Sequence, residues 1–204
     1  MFHDLTTTTR TSSIGSTVAT TGARLLAASG LAMGLSLSSA VPASAAVDVY
    51  TDARGDLSGG ADIRRVRVAN GEDFVRVKVK HDDLRRSYRS GSSLGVFLDT
   101  DRERNGAEYV FLGGTFAGTD YALLKADGWK AASRRAVPLR CGYRMRLDFA
   151  QDTAIVTMDR GCLANPGAVR VEVRTGHDMG PDGGGTARDW LGAKRDFTPW
   201  VKRG

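Results

Sequence analysis

The chain has 204 residues, 41% of them apolar, with 25 glycines, two cysteines and a formal net charge of +6. That length suits one domain built around a single core. The excess of cations favours acidic partners (anionic wall polymers, lipid headgroups or nucleic acid) without choosing among them. Only three histidines are present, which leaves a histidine-based hydrolase few candidate bases and a zinc centre too few soft ligands.

Met1 to Arg24 is rich in Thr and Ser, with Arg10 and Arg24 as its cations and Asp4 as its carboxylate. From Leu25 to Val41 no residue is charged, and Pro42-Ala43-Ser44-Ala45 ends in a small-x-small pattern. This is the n-region, h-region and processing site of a secretory signal peptide, so residues 1–45 are expected to be cleaved. A retained transmembrane anchor is the alternative. It needs about 20 strongly apolar residues, whereas this run is short and diluted by Ser29, Gly30, Gly34, Ser36, Ser38 and Ser39. Subtracting the leader leaves residues 46–204 as a secreted domain of net charge +5. Cys141 and Cys162 both lie in it. An even pair in an oxidising compartment reads as a disulfide, worth on the order of 3 kcal/mol for a loop of about 20 residues. Cys-x-x-Cys redox spacing is absent.

Val47 to Ala53 alternates apolar and polar residues and predicts an edge strand, followed by a loop from Arg54 to Gly60. Asp62–Ala69 and Asp73–His81 form the next pair, joined by Asn70-Gly71-Glu72. Val66, Val68, Val75, Val77 and Val79 take one side, and Arg65, Arg67, Arg76, Lys78 and Lys80 the other. These five cations make a basic stripe on a predicted hairpin face. Such a stripe either binds a polyanion or serves solubility and blunts edge pairing. Asp82 to Arg89 predicts a short helical turn. Val96 to Leu112 reads as two strands around an acidic connection closed by Asn105-Gly106, a dipeptide suited to positive φ. Thr119–Ala126, Gly142–Phe149, Thr153–Met158 and Ala168–Thr175 complete the predicted strands. Residues 130–140 read as a connection, 180–185 as irregular, and 189–201 as a tail docked by Trp190, Phe197 and Trp200. Short strands at hairpin intervals, with no long helical period, predict an antiparallel β-sandwich of jelly-roll type with about eight to ten strands.

The acidic connection offers Asp99, Asp101, Glu103 and Asn105 at alternate positions, hard oxygen ligands that suit calcium if the loop curls. The opposing reading is that Asp99 caps a strand end while Arg102 and Arg104 neutralise the loop. The EF-hand pattern is not met, since its glycine would fall at Arg104. His81 and His177 sit in no nucleophile motif, and no pair of acids is singled out for glycosidase chemistry. An extracellular hydrolase or inhibitor therefore ranks behind a non-catalytic module.

Gly55-Asp56, Asp62-Ile63, the Phe97-Leu98-Asp99-Thr100-Asp101 hairpin with Gly106-x-Glu108-Tyr109, Cys141 with Cys162-Leu163 and Pro166, and Phe197-Thr198-Pro199-Trp200 follow one another in a recognisable order. This order resembles small secreted β-sandwich proteins of actinomycetes, whose strand pattern is similar to DOMON-like domains and family 9 carbohydrate-binding modules. The resemblance implies a jelly-roll sandwich, sugar or haem binding and structural calcium, although no Met/His pair for haem is identifiable. With Trp129, Tyr121, Trp190 and Trp200 as candidate ring-stacking residues, the leading expectation is a secreted module for carbohydrate or cell-wall glycan. The alternative is a polyanion-associating surface protein using the basic stripe.

Overall fold

The computed structural model describes residues 45–57, 61–131, 136–178 and 186–204. Residues 1–44 of the expected leader lie outside the described residues, as do Arg134-Arg135 and the glycine-rich stretch 180–185. Among the described residues no helix is long and apolar enough to cross a membrane.

The described chain is all-β, with two antiparallel sheets packed together. Its strands, in chain order, are β1 Ala46–Thr51, β2 Ile63–Asn70, β3 Phe74–His81, β4 Ser93–Asp99, β5 Tyr109–Gly114 and β6 Tyr121–Asp127. They continue with β7 Lys130–Ala131, β8 Tyr143–Asp148, β9 Thr153–Asp159, β10 Ala168–Asp178, β11 Thr186–Trp190 and β12 Val201–Lys202. The first sheet runs β1-β2-β3-β9-β8; the second runs β11-β10-β4-β5-β6-β7, with β12 also paired to β10. The sandwich follows the predicted alternation, and two of its twelve described strands are only two residues long. A 3₁₀ turn at Tyr88–Ser90 stands where a helical turn was expected, and another spans Arg160–Leu163.

The core forms where the two inner faces meet. Val66, Val68, Val75, Val77, Val79, Val156 and Met158 come from the first sheet, and Leu94, Val96, Leu98, Phe111, Leu123, Val169, Val171 and Val173 from the second; all are buried. Burying one such side chain contributes roughly 1.5–3 kcal/mol, so the valine rows fix which side of each strand faces water. The Cys141–Cys162 disulfide ties the entry of β8 to the turn after β9, with the Cα atoms 5.7 Å apart. Beneath the same turn, the buried Arg160 donates to Asn70 Oδ1 and to the Pro166 carbonyl. At the β4–β5 hairpin, Gly106 has φ +97°, and a Cβ there would lie 2.7 Å from the Gly128 Cα. The expected Asn-Gly turn thus needs its glycine for both reasons.

β1 is the predicted edge strand, but Val47 and Val49 point outward, 38% and 54% exposed. Ala46 and Tyr50 pack on the core in their place.

Candidate functional site

The outer face of the first sheet is a lattice fixed by strand register. One row across it reads Val47, Ala69, Arg76, Thr157, Arg144; the next Val49, Arg67, Lys78, Ile155, Arg146; the third Thr51, Arg65, Lys80, Thr153, Asp148. All five cations of the predicted stripe lie on this face, and β8 adds Arg144 and Arg146, which its alternation had already turned outward. Of the fifteen positions seven are cationic and one is a carboxylate. That carboxylate, Asp148, is engaged by the backbone N–H groups of Ala150 and Gln151. Among the described residues, only Lys80 of the seven has a carboxylate within 4.0 Å, Asp152 at 3.3 Å.

Register places Arg67 directly opposite Lys78 and Arg65 directly opposite Lys80. Like charges facing across strands destabilise a sheet, by the same few tenths to about 1 kcal/mol that opposite charges contribute. Two open grooves follow the rows. One, of about 730 Å³, is lined by Arg67, Arg76, Lys78, Arg144 and Arg146. The other, of about 640 Å³, is lined by Arg54, Arg64, Arg65, Arg67, Lys78 and Lys80 among others.

The outer face of the second sheet is covered instead. Its Phe97, Val110, Leu124 and Ala126 form a second apolar cluster under Trp129, Trp190 and Phe197. Trp129 stacks on Phe197 with ring centroids 4.6 Å apart, and Trp190 stacks on Phe97 at 6.2 Å. Arg174 lies over both Phe97 and Trp190. Trp200 is occupied by Arg102, 4.5 Å from its ring, and by Arg170 at 4.8 Å. Of the four aromatics expected to stack on sugar, these three therefore face protein partners. Tyr121 is 38% exposed beside an open recess of about 300 Å³ with Phe116 and Phe149, its ring also stacked on Phe111.

In the acidic connection, Asp99 is fully buried and bound to Arg170, whose Nη2 and Nε lie 2.6 and 2.8 Å away. Burial raises the Asp99 pKa, and the Arg170 guanidinium opposes that rise. The remaining Asp99 oxygen accepts the Asp101 N–H, and Asp101 accepts the Glu103 N–H. Glu108 accepts from the Thr100 backbone and hydroxyl, while Glu103 and Asn105 are exposed. The cation at this connection is thus Arg170, from a distant strand, and not Arg102 or Arg104 as one sequence reading had it; Arg102 lies over the Trp200 ring instead.

A different acidic group converges between the loop after β1 and strand β11, where one carboxylate oxygen each from Asp52, Asp56 and Asp189 lie within 4.8 Å of one another. Asp189 uses Oδ2 to accept the Ile63 N–H at 2.7 Å, and Asp52 uses Oδ1 to accept the Gly192 N–H at 2.9 Å. Asp189 Oδ1 and Asp52 Oδ2 are buried without a partner. Burial and the neighbouring carboxylates push Asp189 up to about 7. Glu172, wholly buried with neither oxygen paired, is pushed up to about 9 by burial first, then by Asp196, Asp52 and Asp189. Sequence reading missed this group because Asp52 and its Gly192 contact are 140 residues apart.

No protein-family model matches the chain, and no curated protein is significantly similar to it.

Proposed function

We propose that the protein is a secreted, non-catalytic binder of linear polyanions, such as an anionic wall polymer, and that it binds them on the outer face of its first sheet. The observation carrying this reading is the register: Arg67 faces Lys78 and Arg65 faces Lys80, with Arg76, Arg144 and Arg146 around them. A face serving solubility alone is better made with interspersed signs, which remove the cross-strand repulsion and keep the charge density. Here the repulsion is retained, and a bound row of anions relieves it.

The three rows hold no aromatic residue, so stacking of bases, the usual platform for single-stranded nucleic acid, has no support there. Recognition by charge along a polymer backbone fits better. Residues on one face repeat at i, i+2, about 6.8 Å apart along a strand, and neighbouring strands are about 4.8 Å apart. The cations thus form a broad, shallow field suited to a flexible chain of phosphates, sulfates or carboxylates.

The test is retention of the purified protein on immobilised polyphosphate and heparin under a salt gradient. Elution well above physiological salt is expected, and release below it refutes the reading. A second reading, glycan binding, is favoured by the exposed Tyr121 ring at its recess with Phe116 and Phe149. Pull-down on insoluble polysaccharide that is abolished by Tyr121→Ala supports it, and uniform non-binding removes it.

A further inference from the structure

We propose that Asp52, Asp56 and Asp189 form a binding site for a calcium-type divalent cation that clamps the loop after β1 to β11. The convergence of three carboxylate oxygens within 4.8 Å brings like charges together with no cation to balance them. Among the described residues, no Lys or Arg nitrogen lies within 4.0 Å of these three groups; the nearby Arg64 pairs with Asp62 and Asp82 instead. A second, separate observation concerns the free oxygens. Asp189 is 97% buried, at 3% exposure, and its Oδ1 has no hydrogen-bond partner. An unpartnered buried carboxylate oxygen costs several kcal/mol unless a partner fills the gap.

Asp189 and Asp52 are each positioned by a contact that leaves one oxygen without a partner. The Ile63 N–H holds Asp189 Oδ2, and the Gly192 N–H holds Asp52 Oδ1. Asp56 rides on a loop pinned by Asp62, which accepts the Gly55 and Leu57 N–H groups. The donor set is oxygen only, which selects hard cations over zinc or copper. Calcium–oxygen distances of 2.3–2.6 Å place opposite ligands about 4.6–5.2 Å apart, so the observed spread fits around one such ion. Asp56 is exposed and Asp52 half-buried, which leaves an entry side for the ion and for water to complete its shell. The three ligands are distinct from the residues of the Asp99–Asn105 connection, and the loop that carries Asp52 and Asp56 also sends Arg54 to the second groove of the basic face.

Calorimetric titration of CaCl₂ into EDTA-treated protein, with melting followed with and without calcium, tests the assignment. One equivalent is expected to bind, in the 10⁻⁴ to 10⁻³ M range usual for extracellular modules, and to raise the melting temperature. Asp56→Asn, on an exposed loop where folding is not at stake, is expected to weaken binding at least tenfold. Asp189→Asn is expected to abolish the calcium-dependent rise, while Asp101→Asn leaves both readouts unchanged. Absence of binding heat, unaltered affinity in Asp56→Asn, or loss of binding in Asp101→Asn would overturn the proposal.

Discussion

Neutralising Arg67 and Lys78 separates a binding face from a merely solvated one, because the two readings predict different pairs of outcomes. If all seven cations of the lattice contact anions of a single-stranded polymer, log K should fall with log salt at a slope of about −5, at roughly −0.7 per contact. Raising salt from 50 to 200 mM then costs on the order of 10³ in affinity. The double variant Arg67→Gln/Lys78→Gln should flatten the slope by about 1.4, so that the same change of salt costs on the order of 10². Fluorescence anisotropy with labelled polyphosphate at four or five salt concentrations gives both numbers. Stability should move the opposite way. Lys78→Glu converts a repulsive pair facing Arg67 into an attractive one, for a gain of about 0.5–1 kcal/mol. That corresponds to a rise in melting temperature of about 1–4 °C for a chain of this size. A Lys78→Glu protein that binds as tightly as the parent, with an unaltered slope, would refute the assignment of the face. One that melts lower would refute the claim that the register carries repulsion.

Other consequences follow from buried groups. His81 is fully buried and donates its Nδ1–H to the Ala61 carbonyl, and burial lowers its pKa to about 4. The folded state therefore binds fewer protons than the unfolded chain between about pH 6.5 and 4, so stability is intact above that window and falls by about 3 kcal/mol as pH drops through it. Urea melts across that range should show the loss, and His81→Leu should flatten it. Removing the Cys141–Cys162 bridge by paired Ala substitutions should cost on the order of 3 kcal/mol, read as a lower urea midpoint. Arg170→Met strands the buried Asp99 carboxylate without its guanidinium and should cost about 3–5 kcal/mol. Adding Asp99→Asn should recover part of that loss, and an additive double variant would refute the coupling.

The first sheet was legible in the sequence because its strands have one wet face. In β3, Val75, Val77 and Val79 alternate with Arg76, Lys78 and Lys80, and burial follows that alternation residue by residue. β10 has the same period, yet its outward Glu172 is wholly buried and Arg174 lies against aromatic rings. Alternation reports the face of a strand and cannot report what a distant segment lays over it; here Trp129, Trp190 and Phe197 do so. β11 escaped notice for a related reason. Thr186-Ala187-Arg188-Asp189-Trp190 has little apolar alternation, and pairing with β10 along its edge holds it in place. Sequence spacing leaves open whether Trp200 docks the tail or offers its face to a ligand, because it does not show that Arg102 and Arg170 lie against that ring. The Asp52–Asp56–Asp189 group was invisible for the same reason, being assembled only when the sandwich closes.

The two outer faces are therefore unequal by construction. An apolar face such as that of the second sheet has to be covered, and the tail from Leu191 to Trp200 does this, helped by the Thr198 N–H bonding to the Val171 carbonyl and the Val171 N–H to the Thr198 hydroxyl. That leaves little free aromatic surface there for a ligand. The first sheet needs no cover, since eight of its fifteen outward positions are charged, and its seven cations resist any apolar segment that would bury them unpaired. A surface that resists apolar burial, repels itself and lies open can be relieved only by salt or by a partner carrying regularly spaced negative charge. Of these, a polymer gains the entropy of releasing many small ions at once, which is why the register of two strands, more than the net charge of the chain, argues for a polyanion as the partner.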